Sequence, residues 1–289
     1  MFIKLIFIIL IKILYGDDSI PVVHLFIKDQ TENMDTSIGE GSCTGTILGG
    51  KYILTAAHCV FTANHCNDNL KNDFKNLSIP PKRLKIEYDT FCSHLRTACY
   101  ENDEPKIARV NKIYVHKNYI ENYCKEADLA ILELQNDIGS KLMAVNSNKT
   151  FLPDKLLGFG FGDNPRNKQD SFKLQSDEFI ITKCLHSKIP NGTFCTDESV
   201  SNFCKGDSGG PLMTVDRVIY GVVSGGTNCD YLENMLSKGK REIFKGNISY
   251  DVSNFLNFIC SIIQQDKNNP VYGCEEYTDV LNNETEIFF

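Results

Sequence analysis

The sequence has no long block of basic residues, no CxxC pair and, after its first 16 residues, no uninterrupted apolar run approaching about 18 residues. Each absence excludes something. With 30 Lys and Arg against 37 Asp and Glu, a net charge of -7 and no basic stripe, a nucleic-acid or polyphosphate partner finds no electrostatic footing. The pairs Cys92 with Cys99 and Cys195 with Cys204 are too widely spaced for a zinc knuckle. No metal and no organic cofactor is expected. The body of the chain offers no stable membrane insertion.

What is present points outward from the cell. Twelve cysteines in an acidic chain suit an oxidising compartment, where they persist as disulfides. The start, MFIKLIFIILIKILYG, reads as a secretory signal over residues 1–16. Lys4 supplies the positive end, Leu5–Ile11 the apolar run and Gly16 a small residue before a cut at Asp17. Lys12 interrupts the run and argues against a membrane anchor. Five N-x-Ser/Thr triplets, at Asn76, Asn148, Asn191, Asn247 and Asn283, are candidate glycosylation sites in a secreted protein. The expected location is extracellular.

The remaining length allows one large β domain or two smaller ones. Short strand-like runs recur: Pro21–Ile27, two strands within Gly45–Leu54 around Gly49-Gly50, Ile107–Val115, Leu129–Leu134 and Val218–Ser224. Separated by Gly, Asn and Asp turns, they predict an all-β sandwich or barrel. The stretch from Asn64 to Glu104 is polar, holds Pro80-Pro81 and lacks sustained periodicity. It reads as a surface excursion, an insertion near residues 62–106, and 230–245 as a second insertion with a possible helix. Val252, Phe255, Leu256 and Ile259 fall at helical spacing, with Asp251 or Ser253 to cap the start. A single large domain over 17–260 is then followed by a polar extension, 261–289, which Cys274 could tie back.

Three separated motifs carry chemistry. LTAAHC ends on His58 and Cys59, ADLAILEL places Asp128 ahead of an apolar run, and FCKGDSGGP sets Ser208 between Asp207 and Gly209. Alone, the histidine reads as a hydrogen-bonded core residue, the aspartate as a turn residue and the glycine-rich stretch as a flexible loop. Together, in the order His-Asp-Ser, they resemble the chymotrypsin-like serine endopeptidases over much of Pro21–Ile259. The resemblance implies two packed six-stranded antiparallel β-barrels with a C-terminal α-helix and an active site in the cleft between them. It makes Ser208 the nucleophile, His58 the base and then the acid, and Asp128 the group that orients the imidazole. The amides of Gly206 and Ser208 would form the oxyanion hole. Ser224 would hydrogen-bond Asp128.

The same resemblance implies disulfides Cys43–Cys59, Cys184–Cys195 and Cys204–Cys229, and likens Gly158-Phe159-Gly160 to a Gly-Trp-Gly turn beside the nucleophile. The chain has no tryptophan. Among the six remaining cysteines, Cys66 with Cys92 and Cys260 with Cys274 are candidate pairs.

Specificity is implied by residue type at matched positions. Asn202 stands where trypsin-like enzymes carry an aspartate, so a buried substrate cation would go uncompensated. Ser224-Gly225-Gly226 replaces Ser-Trp-Gly. Asn247 aligns with the other wall glycine and would narrow the pocket. A neutral, modest-sized or apolar side chain is therefore expected there. Lys205 either meets the leaving side of a peptide or is simply solvated. In this family a new amino terminus pairs with the residue matched by Asp207, yet Lys12-Ile13-Leu14-Tyr15-Gly16 overlaps the signal. Activation through upstream sequence, organisation by another route and a poorly active homologue all stay open. The expected partners are protein or peptide substrates and protein protease inhibitors. The rival reading is a secreted protease-like binding or regulatory protein with little activity.

Overall fold

The computed structural model describes residues 21–27, 42–62, 65–66, 76–93, 104–139, 143–239, 245–263, 271–275, 277 and 283–289. The signal-like segment, Lys12 and Cys99 lie outside the described residues. Two sheets account for the strands. The first contains β1 (Val22–Ile27), β2 (Cys43–Leu48), β3 (Tyr52–Thr55), β4 (Leu84–Tyr88), β5 (Lys106–His116) and β6 (Ala130–Leu134). Their order, β5-β4-β1-β2-β3-β6, closes through β5–β6 pairing into a six-stranded antiparallel barrel. The second contains β7 (Ala144–Val145), β8 (Lys155–Gly160), β9 (Gln175–Thr182), β10 (Thr193–Thr196), β11 (Pro211–Met213), β12 (Val218–Gly225) and β13 (Asn247–Asp251). Here β11-β8-β9-β10-β13-β12 closes through β11–β12, with β7 added in parallel on β12.

Closure pairs the strands around each barrel and leaves the C-terminal half of β5, beyond β4, as an open edge, while the inward faces supply the cores. In β5, Ala108 and Val110 are buried while Ile107 is half exposed, the period-two pattern of a barrel wall. Gly45 in β2 lets three strands close up, since a methyl group there would lie 2.6 Å from Ile53 and 2.9 Å from Leu25. One region departs from the sequence expectation. Leu84–Tyr88, inside the supposed excursion, is a barrel strand registered against both β1 and β5. Its inward Leu84 and Ile86 are buried, but five residues behind a Pro-Pro step give too short an alternation to stand out.

The chain ends by returning. A 3₁₀ turn, Val252–Phe255, leads into the helix Leu256–Ile263. The Asp251 side chain accepts the Ser253 amide at 3.0 Å, so Asp251 is the cap. The helix is buried on nearly all sides, and Cys260–Cys274 ties the following segment to it. Thr285–Phe288 then forms β14 on the outer edge of β5, with Thr285 opposite His116. The polar extension thus adds a strand to the first barrel and seats Phe288 edge-on to Phe61, ring centres 5.8 Å apart. Phe288→Ala is expected to cost about 3 kcal/mol of unfolding free energy. Urea denaturation checks this, and an unchanged midpoint would mean the strand is not docked in solution. No helix among the described residues is long and apolar enough to cross a membrane.

Candidate active site

β3 delivers the histidine. Ala56 and Ala57 are wholly buried, and a 3₁₀ turn over Ala57–Val60 follows without room for larger side chains. His58 emerges from it about one third exposed. Asp128 stands just before β6, after Ala127, whose φ of 52° is a left-handed step that a side chain adopts only at a cost. That step turns the carboxylate toward His58. The backbone amide of His58 donates to Asp128 Oδ1 at 2.8 Å, and Nδ1 lies 2.7 Å from Oδ2. Ser224 Oγ, from β12 of the second barrel, donates to the same Oδ2 at 2.6 Å. Both barrels therefore hold one carboxylate.

The electrostatics follow from that grip. Burial alone would lower the His58 pKa, but the charge and hydrogen bond of Asp128 outweigh it and hold the imidazole above its ordinary value. For Asp128, burial would raise the carboxyl. The charge of His58 and hydrogen bonds from His58, Ser224 and the His58 amide bring it below the usual range. The Nδ1–H is thus committed to Asp128, which leaves Nε2 as the acceptor available to the cleft.

The Ser208 turn is seated from behind. Ser208 accepts the Thr44 amide on its carbonyl at 2.8 Å, and Gly209 donates to the Val223 carbonyl at 2.7 Å. Gly209 has φ 83°, and a methyl group there would overlap Thr55 and Thr44 and lie 2.8 Å from the Ala56 amide. Only glycine lets this turn sit so close to the histidine strand. Ser208 lines a cleft of about 510 Å³ with Lys205, Val223, Gly225, Gly226 and Thr227. Among the described residues, Ser208 Oγ makes no hydrogen bond.

Gly206, at φ 101°, shapes the neighbouring peptides. The Asp163 amide holds the Lys205 carbonyl at 2.8 Å, so the trans peptide directs the Gly206 N–H the opposite way. Thr44 Oγ1 holds the Gly206 carbonyl at 2.8 Å and also accepts the Phe161 amide at 3.0 Å. Thr44 was not singled out from the sequence, where a threonine after a cysteine carries no signal. Asp207 is buried in the other direction, its carboxylate accepting Gly162 N and Cys204 N at 2.8 Å each. Methyl groups on Gly160 or Gly162 would overlap it. The turn beside the nucleophile is thus Gly160-Phe161-Gly162, two residues beyond the expected Gly158-Phe159-Gly160; the repeat GFGFG hides the register. Burial pushes the Asp207 carboxyl up to about 7, against the two amides, which lower it.

The pocket residues divide. Gly225 and Gly226 line the Ser208 cleft, and a methyl on Gly225 would meet open space. Asn202 instead lines an adjoining cavity at Asp207 with Gly158, Gly160, Asn164, Gln175 and Ser201, which shares Asn164, Phe203 and Cys204 with the Ser208 cleft. Asn202 Nδ2 points at the Cys229 sulfur, 3.1 Å away. Asn247 is fully buried, its Nδ2 donating to Thr196 Oγ1 at 3.3 Å and its Oδ1 accepting the Phe203 amide at 3.4 Å. It has no room for a glycan, whereas Asn76, Asn148, Asn191 and Asn283 are exposed.

Disulfides frame the site. Cys43–Cys59, Cys184–Cys195, Cys204–Cys229 and Cys260–Cys274 are formed. Cys66 pairs with Cys124 rather than Cys92, because the segment after His58 folds against the short helix Lys117–Glu121 that precedes Asp128. His65 seals this junction, with Nδ1 to the Thr62 carbonyl at 2.8 Å and Nε2 to Tyr119 OH at 2.6 Å. Breaking the bridge by Cys66→Ser/Cys124→Ser is expected to cost about 3 to 4 kcal/mol, given 58 residues between the cysteines. Chemical denaturation against the parent measures it; a cost under about 1 kcal/mol would contradict a bridge that closes this loop.

A second His–carboxylate pair, His24 Nδ1 with Glu87 Oε2 at 2.7 Å, joins β1 to β4. Its Nε2 meets Ser42 Oγ at 2.7 Å. Both His24 and Glu87 are wholly buried, so no substrate reaches the imidazole, and the exposed pair at His58 is the candidate site.

Known proteins resemble this chain in sequence and in fold. The Trypsin family pattern matches residues 28–235. Complement C1r-A subcomponent of Mus musculus is 28% identical over 67% of this chain and 29% of its own length. CLIP domain-containing serine protease B9 of Anopheles gambiae is 27% identical over 65% of this chain and 50% of its own. The chain thus spans half or less of these two relatives. Trypsin-like protease try-5 of Caenorhabditis elegans is 26% identical over 77% of this chain and 78% of its own length. Among solved structures, the scabies mite inactivated protease paralogue S-I1 superposes with a TM-score of 0.59 at 21% identity, over 85% of this chain and 95% of that one. That likeness is one of fold. With the paired barrels, the gripped aspartate and the family pattern in agreement, the chain belongs to the Trypsin family of serine proteases.

Proposed function

We propose that the chain is an extracellular serine endopeptidase that hydrolyses protein or peptide amides through Ser208, His58 and Asp128. The observation that carries this is the Asp128 carboxylate held by His58 Nδ1, the His58 amide and Ser224, beside the cleft that Ser208 lines. In the forward step His58 Nε2 takes the Ser208 proton as Oγ attacks the scissile carbonyl. It then gives that proton to the leaving amine, and water repeats the cycle to release the acyl group. Gly206 N and Ser208 N receive the oxyanion, each contributing about 2 to 4 kcal/mol in the transition state. No step needs a metal or an organic cofactor. Residues 1–16 act as the signal, 17–260 as the peptidase domain and 261–289 as an extension. The disulfides and four exposed sequons suit secretion. An extended inhibitor loop would fit the same cleft.

Asp207 is the proposed switch: an ammonium brought into its cavity would neutralise the carboxylate and fix the adjacent Gly206 and Ser208 amides. The test is a fluorescent phosphonate probe on the mature protein beside Ser208→Ala. Labelling that depends on Ser208 supports the peptidase, and a folded mature protein that resists the probe overturns it. A second reading, a protease-like binding protein, is favoured by one observation. A methyl placed on Gly226 would overlap Asn247 Oδ1 and lie 3.2 Å from Glu198 Oε1, so the space beneath this wall is filled.

A further inference from the structure

Glu198 was not singled out by any motif, yet it occupies a costly position. It is 2% exposed, and no ion pair among the described residues neutralises it. Its Oε2 accepts Thr227 Oγ1 at 3.0 Å, Gly246 N at 3.1 Å and Lys245 N at 3.2 Å. Oε1 accepts only Thr227 N, at 2.7 Å, and keeps acceptor capacity on its other side. A methyl group on Gly226 would lie 3.2 Å from this oxygen. Asn247 Oδ1 stands closer still to the same space, and its carboxamide is itself fixed by Thr196 Oγ1 and the Phe203 amide. A neutral carboxamide and, behind it, a buried anion therefore share the volume beneath the cleft wall.

We infer that Asn247 and Glu198 together set the primary specificity. Asn247 is a plug that restricts the cleft to small uncharged side chains, and Glu198 is a latent carboxylate floor that takes a cation once the plug is removed. The inference rests on the proposed reading that the Ser208 cleft receives the substrate. Its physical basis is separate from catalysis. Burying a cation beside an amide leaves its charge uncompensated, whereas a carboxylate with a spare lone pair returns most of the desolvation cost. Glu198 needs no movement to do so, because four donors already fix it.

The probe is benzamidine, a flat amidinium, measured by calorimetry on protein carrying Ser208→Ala. With Asn247 in place, binding is expected to be undetectable at millimolar concentration. Asn247→Gly is expected to tighten it by about 30-fold or more, and Glu198→Gln in that background to remove the gain. Asn247→Ala, which keeps more backbone restraint, repeats the test should the glycine variant fail to fold. Benzamidine binding no tighter in either folded variant, or a gain that survives Glu198→Gln, overturns the inference. In the active protein, cleavage is expected after Gly, Ala or Ser, and efficient cleavage after Lys or Phe also overturns it. A parent that resists the phosphonate while Asn247→Gly binds benzamidine through Glu198 loses the peptidase reading and keeps this one.

Discussion

His58→Ala is expected to lower kcat by about 10⁵-fold, and Asp128→Asn by about 10⁴-fold, with the double variant little worse than His58→Ala alone. The groups act as a unit, so their losses do not add. The two single variants differ in kind. Without His58 nothing takes the Ser208 proton. In Asp128→Asn the imidazole remains, but its Nδ1–H loses the carboxylate that fixes the tautomer at 2.7 Å. The pH profile separates a chemical role from a structural one. His58 works as a base only when neutral, and Asp128 holds its pKa above the ordinary value, so parent kcat/KM should rise through a pKa above 6.5. With Asp128 gone, burial is the remaining cause and it lowers the pKa, so the acid limb should move to lower pH while the plateau falls. An acid limb that stays in place would sink the assignment of Asp128.

The fold was legible where pattern and length agreed. Val22–Ile27, Ile107–Val115 and Val218–Ser224 alternate or run apolar for long enough to be read as strands, and each is one. Leu84–Tyr88 is equally essential to closure but only five residues long, and its polar neighbours dilute the signal. β14 was illegible for a different reason. Thr285–Phe288 is only four residues long, too short for its alternation to be read, and it becomes a strand because β5 offers an edge. The same division holds in the site. Asp128 and His58 sit in motifs whose neighbours are small and apolar. Thr44 and Glu198 act through backbone groups distant in sequence, which leave no local pattern. The bridge from Cys66 to Cys124 depends on the path of the chain between the histidine and aspartate loops, which spacing does not encode.

Asp207→Asn is expected to raise stability at pH 8 and to lower kcat/KM by about 10²- to 10³-fold, an opposition that follows from one buried charge. In the unfolded chain this carboxyl ionises near 3.8, whereas in the fold it keeps its proton up to about 7. Between those values the folded state binds more protons, so unfolding free energy should fall as pH rises through the window. A shift of about three units corresponds to about 4 kcal/mol, fully expressed above pH 7. Asparagine removes the charge but offers one acceptor oxygen to the two amides of Gly162 and Cys204, which returns about 1 to 3 kcal/mol. The net gain at pH 8 should be about 2 kcal/mol by urea denaturation, turning into a loss of about 1 to 2 kcal/mol near pH 4, where the carboxyl is protonated in the fold and the lost acceptor remains. Activity should move the other way, because a neutral side chain cannot draw an ammonium into the cavity behind Gly206 and Ser208. Should Asp207→Asn prove less stable than the parent at pH 8, a cation already meets this carboxylate in the folded chain, and the switch stands closed without further processing.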